Sequence, residues 1–158
     1  MIRFSLSAVA KAPVTVKGTL AQEFLALDEG DTFVIAGDME YEFTAVQVSG
    51  GILVSGNCRV PVHTSCGRCL KDFDFDLELA DAQLFFEPAP ETEELDISED
   101  VRAELLLELP MNPVCREDCA GLCPVCGVDR NEKVCSCENC GNAEKVSPWS
   151  ALDGLQLD

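Results

Sequence analysis

An α+β fold is predicted: a β-rich N-terminal domain built as an antiparallel meander, one helix packed on it, and a small Cys-rich C-terminal module. Three observations predict it. Apolar residues recur mostly at every second position from Pro13 to Phe86, the period of half-buried strands. A single run at three-to-four spacing, the period of a helix, follows near residue 100. Seven of the ten cysteines then fall within residues 115–140, and such clustering favours a metal-binding module over disulfides. At 158 residues and 47% hydrophobic composition, the chain can bury the core of one domain with an appendage.

The segment Met1–Lys11 superficially resembles a secretion signal, but its apolar core is short and broken by serines, so it reads as mature cytoplasmic chain. Strands are expected at 32–35, 40–48 and 52–55, with Gly50-Gly51 as a two-residue hairpin turn. The stretch Leu20–Leu27 fits a short helix or another strand. The clearest strand is 72–79, where Phe73, Phe75, Leu77 and Leu79 alternate with Asp72, Asp74, Asp76 and Glu78, one face buried and the other acidic.

Residues 72–100 hold twelve acids and no Lys or Arg, and the Pro- and Glu-rich part of this stretch, 87–95, reads as a solvated linker. It divides a β-rich domain at 1–86, which carries Cys66 and Cys69, from a helix and Cys-rich module at 96–158. Asp96 with Glu99 fits an N-cap and its N3 partner, opening a helix over 100–109. Val101, Leu105, Leu106 and Leu109 share its apolar face, and Pro110 and Pro113 end it. Trp149, Leu152 and Leu155 stand at helical spacing and predict a short terminal helix.

Cys123-Pro124-Val125-Cys126-Gly127 is the most specific motif, a turn that points two sulfurs inward. The second half of its site is Cys135 and Cys137, or Cys137 and Cys140. Either completes four thiolates, a donor set that suits Zn²⁺, with iron as the other candidate. Cys66 and Cys69 then need partners, and Cys115 and Cys119 are the unclaimed pair, so arithmetic yields a second site and two zinc ions in all. A redox C-x2-C is the alternative for Cys66 and Cys69, but a strand follows them directly where a thioredoxin-like motif requires a helix. His63, the one histidine, reads as an exposed strand position.

The net charge is −18, from 29 acids against 11 Lys and Arg, so phosphate binding without sequence preference is not expected. No run approaches the roughly 18 apolar residues of a membrane-spanning helix. No Ser-His-Asp set, H-E-x2-H motif or phosphate-cradling loop is present, and a four-cysteine site keeps no open position for substrate. The chain reads as no enzyme.

With these residues laid out, the chain resembles the YceD family, the large ribosomal RNA subunit accumulation proteins. The resemblance rests on Cys66-Gly67-Arg68-Cys69-Leu70 with the alternating Phe and acid behind it, the acidic linker, and the run from Val101 to Cys115. It continues through Cys119-Ala120-Gly121-Leu122-Cys123-Pro124-Val125-Cys126-Gly127 with Asn131, Cys135 and Cys137, and closes on Pro148-Trp149. It implies a cytoplasmic ribosome-biogenesis factor needed for accumulation or processing of 23S rRNA. By analogy Cys135 and Cys137 belong to the second site, with Cys140 as alternative ligand. The expected partner is a basic ribosomal protein or pre-ribosomal particle, met by the acidic face of Asp72, Asp74, Asp76 and Glu78. The alternative is a rubredoxin-like iron electron carrier, suggested by the Cys-Pro-Val-Cys-Gly knuckle.

Overall fold

The alternation that predicts strands is realised in a computed structural model, which describes residues 1–25, 27, 32–89 and 91–137. The chain runs β1 (Arg3–Ser5), α1 (Leu6–Val9), β2 (Val14–Leu20), a 3-10 turn (Gln22–Phe24), β3 (Phe33–Ile35), β4 (Met39–Val48), β5 (Gly51–Ser65), β6 (Asp72–Phe86), β7 (Glu94–Asp96) and α2 (Ser98–Leu107). The fold is thus β-rich with one helix of more than two turns among the described residues. Leu20–Leu27, open between helix and strand in the sequence, holds the end of β2 and the 3-10 turn.

Five strands form one antiparallel sheet. Consecutive strands pair only from β4 to β6, whereas β2 pairs with β4, and β3 pairs with the far end of β5. The reason lies in the lengths: β5 spans fifteen residues, so β4 covers its first part and leaves Val62–Thr64 for β3. The simple meander expected from the sequence holds for that central part alone.

Val48 pairs with Gly51, which puts the hairpin turn at Ser49 and Gly50, one residue earlier than expected. Gly50 supplies the positive φ, +89°, while Gly51 is already strand and lies so close to the Phe86 carbonyl that no side chain fits.

Two further expectations shift. The acidic stretch 87–95 ends not as linker but as β7, which pairs with β1 at the opposite end of the sequence. Arg3 contacts Asp96 at 2.9 Å and Glu94 at 3.8 Å across this pair. Asp96 therefore sits in a strand, and α2 starts at Ser98 with Ile97 at the N-cap position. The Asp96 carboxylate still accepts the Ser98 N–H at 3.0 Å, so it serves the helix start from one residue further out. The helix ends at Leu107, and Leu109 follows in a final tight turn.

The core gathers Phe4, Phe43, Val54, Val60, Val62 and Leu77 from the strands with Val101 and Leu105 from α2, which packs on β6. Leu106 and Leu109 line its margin. Cys58 belongs to this core, where burial pushes its thiol up to about 11 against a backbone hydrogen bond from Leu79. That makes it a small apolar packing residue. The expected helix at Trp149–Leu155 lies outside the described residues, as does Cys140. No described helix is long and apolar enough to cross a membrane.

Candidate metal centres

Cys66 follows the last residue of β5 and Cys69 precedes β6, so the longest hairpin of the sheet ends in a pair of thiols. Their turn is held by the Leu70 N–H on the Cys66 carbonyl (2.9 Å) and the Cys66 N–H on the Lys71 carbonyl (2.8 Å). The Cys123–Val128 turn repeats this pattern: Gly127 N–H to the Cys123 carbonyl (2.9 Å), Cys123 N–H to the Val128 carbonyl (2.8 Å). In both, the N–H two residues after the first cysteine donates to its sulfur, Arg68 to Cys66 at 3.4 Å and Val125 to Cys123 at 3.3 Å. The chain therefore carries two equivalent knuckles.

Each knuckle has its own partners. Cys66, Cys69, Cys115 and Cys119 place their four Sγ atoms within 4.8 Å of one another, and so do Cys123, Cys126, Cys135 and Cys137. In the first group Cys66 and Cys119 are 3.9 Å apart, and Cys69 and Cys115 3.8 Å. In the second, Cys135 stands 3.4 Å from both Cys126 and Cys123. A disulfide requires about 2.05 Å, and no disulfide joins any of the nine described cysteines. A tetrahedron of sulfurs each about 2.3 Å from a zinc ion has edges of about 3.8 Å. The donor chemistry and the spacing of both groups therefore fit a divalent metal in a four-thiolate shell.

The electrostatics favour a cation as well. In the first group burial raises the Cys66 thiol, but N–H groups of Cys115, Cys69 and Arg68 outweigh it and bring it down to about 6. Burial pushes Cys115 up to about 12, helped by the thiols of Cys119, Cys66 and Cys69. In the second group Cys137 is pushed up to about 12, chiefly by Cys135 and Cys126. Four thiolates in so small a volume repel one another; a divalent ion ligated by all four converts that repulsion into attraction.

The groups differ in shielding. Cys66, Cys69 and Cys119 are buried and form a small apolar cluster with Phe73 and Val114, whereas Cys126 is exposed. Gly67 anchors the first knuckle, donating to the Pro113 carbonyl at 2.8 Å just before Cys115. Arg68 adds a second tie, its guanidinium donating to the Glu117 and Cys119 carbonyls, each at 3.1 Å.

The expected partner-binding acids all lie on the outer face of β6. Each meets a residue of β5: Asp72 accepts from Ser65 (2.6 Å), Asp74 pairs with His63 (2.6 Å), and Arg59 contacts both Asp76 and Glu78. His63 is thus an exposed strand residue facing Asp74. Sequence reasoning missed Arg59, which lies directly across from Glu78. It also assigned no role to Lys71, two residues beyond Cys69, or to Asp129 and Glu132, which pair with it; only loop folding brings them together.

Residues 86–156 match the family model described as large ribosomal RNA subunit accumulation protein YceD. An uncharacterized protein of Mycobacterium tuberculosis is 32% identical over 120 residues, covering 67% of this chain and 55% of that protein. A Zea mays protein named large ribosomal RNA subunit accumulation protein YCED homolog 1, chloroplastic, is 36% identical over 85 residues, 53% of this chain and 28% of that one. The Arabidopsis thaliana protein of the same name is 34% identical over 67 residues, 42% and 20% respectively. The chain spans about half the length of the mycobacterial relatives it matches. No solved structure matches.

Proposed function

This chain belongs to the YceD family, and from that premise we propose that it is a noncatalytic, zinc-binding ribosome-biogenesis factor of the cytoplasm, needed for 23S rRNA to accumulate. The observation that carries the metal part is the pair of four-cysteine groups, each with four Sγ atoms within 4.8 Å. Zinc suits an all-thiolate tetrahedron, has no redox chemistry of its own, and in a closed shell offers no position to substrate. Its role is to join the β5–β6 hairpin to the segment after α2. The backbone N–H donors around Cys66 and Cys123 offset part of the thiolate charge.

The partner in this reading is a basic ribosomal protein. With a net charge of −18, the chain is repelled by rRNA phosphates and attracted to Lys- and Arg-rich segments. The outer face of β6 is its contact, and because Arg59 already neutralises part of that face, binding is expected to be weak and salt-sensitive.

Metal analysis of protein purified without added metal tests the first half: two zinc ions per chain and no visible absorption are expected, whereas iron with a thiolate spectrum favours an electron carrier. In cells depleted of this chain, wild-type protein is expected to restore 23S rRNA and a Cys66→Ser, Cys123→Ser variant is not. Normal 23S rRNA after depletion would overturn the assignment.

A further inference from the structure

The loop 127–134 lies between Cys126 and Cys135, so by sequence it belongs to the second cysteine group. Its side chains serve the first. The Asn131 Nδ2 donates to the Sγ of Cys119 at 3.5 Å, while its Oδ1 accepts the Ala120 N–H and the Arg116 guanidinium, both at 2.8 Å. Lys71, two residues beyond Cys69, bridges Asp129 at 2.7 Å and Glu132 at 2.5 Å. Asp129 in turn accepts both the backbone N–H and the Nδ2 of Asn131, at 2.8 and 2.7 Å. Backbone contacts continue the link: Leu122 N–H to the Arg68 carbonyl and Arg130 N–H to the Gly121 carbonyl, each at 3.0 Å.

We propose that the two cysteine groups bind metal cooperatively, with loop 127–134 as the coupling element and Asn131 and Lys71 as its positioning residues. The inference rests on the metal-binding reading above. When Cys126 and Cys135 hold one ion, both ends of the loop are fixed, 3.4 Å apart at the sulfurs. Asn131, Asp129 and Glu132 are then already arranged around the first knuckle, and the first ion does not have to order them. Without that closure, the loop's chain entropy opposes every one of those contacts. Hydrogen-bond partners of metal ligands commonly change affinity by about 10- to 100-fold, which sets the scale expected here. Linkage requires the effect to be mutual: whatever factor the second group gives the first, the first gives the second.

The test is zinc affinity by chelator competition on the full-length chain, with circular dichroism as the check on folding. Replacing Cys126 and Cys135 by serine is expected to weaken zinc at the first group about tenfold or more. Replacing Cys66 and Cys69 by serine is expected to weaken the second group by the same factor. A third variant, Asn131→Ala with Lys71→Ala, keeps all eight thiols. It is expected to lose affinity at the first group and to be indifferent to further loss of Cys126 and Cys135. First-group affinity within twofold of wild type in the Cys126, Cys135 variant would overturn the coupling. Coupling that survives in the Asn131, Lys71 variant would overturn the loop as its carrier. A chain that takes up no zinc at all would overturn the metal reading itself.

Discussion

Leu70 and Gly127 occupy the same position in two matching turns, each immediately after the second cysteine of its knuckle, with φ of +59° and +72°. Glycine adopts that region freely, whereas a side chain there costs roughly 1 kcal/mol. Leu70 is also largely exposed, so its side chain recovers little by burial.

Opposite outcomes are therefore expected from exchanging them. Gly127→Leu is expected to destabilise by about 1–2 kcal/mol, read as a lower denaturation midpoint of the zinc-loaded protein. Leu70→Gly is expected to stay within about 1 kcal/mol of wild type, because relief at φ +59° offsets the added freedom of the unfolded chain. A Leu70→Gly variant that loses metal would show that the side chain does more than occupy the turn.

The hydroxyl of Ser98 accepts the backbone N–H of Ile2 at 2.7 Å, ninety-six residues away and buried. Ser98→Ala leaves that N–H without a partner, which is expected to cost about 1–3 kcal/mol in urea denaturation. Ser5→Ala, at the exposed end of β1, is expected to change little.

Burial pushes the Asp96 carboxyl up, but the Ser98 hydroxyl and N–H, with Arg3, outweigh it and hold it below the usual carboxylate range. A carboxyl whose folded value is depressed contributes stability above its unfolded value and loses it as pH falls through the folded one. Asp96→Asn is accordingly expected to destabilise modestly at neutral pH, by less than about 1 kcal/mol because the group is partly exposed. The gap to wild type should close as pH falls below about 4, where the unfolded carboxyl takes up its proton. A gap that persists at lower pH would assign the effect to shape rather than charge.

On β6, the acids and Arg59 are expected to pull in opposite directions. Asp74→Asn with Asp76→Asn is expected to lower binding of a Lys- and Arg-rich peptide at low salt. Because these pairs are exposed, it should change stability by less than about 1 kcal/mol. Arg59→Ala releases Asp76 and Glu78 and is expected to strengthen the same binding. Peptide anisotropy at two salt concentrations reads both, and equal affinity for all three proteins would remove β6 as the contact.

Most of what could be read from the sequence was local, with the grouping of Cys66 and Cys69 with Cys115 and Cys119 the exception. The strand at 72–79 declared itself because burial alternates residue by residue, and the thiols paired because two- and three-residue spacings limit which cysteines can share an ion. Apart from the one-residue shift of the hairpin turn at Gly50, the misreadings involve distant partners. Nothing near Glu94–Asp96 signals that Arg3–Ser5 will pair with it, and that pairing is what moved the N-cap from Asp96 to Ile97. Likewise β3 lies on β5 because β4 is too short to cover it, a matter of relative lengths that no single segment displays. Asn131 reads as an ordinary loop polar residue until Cys119 is placed beside it.

The sulfurs that meet in the first metal centre are 46 and 53 positions apart, and those in the second 9 and 12. Bringing ends together costs entropy that grows with the logarithm of the intervening length, about 1.3 kcal/mol more for 53 residues than for 12. The second centre can thus assemble as soon as its own short stretch has left the ribosome, whereas the first must wait until the sheet and α2 have docked. An ion bound by the first group would therefore seal a domain already built, whereas one bound by the second would close only its own short loop.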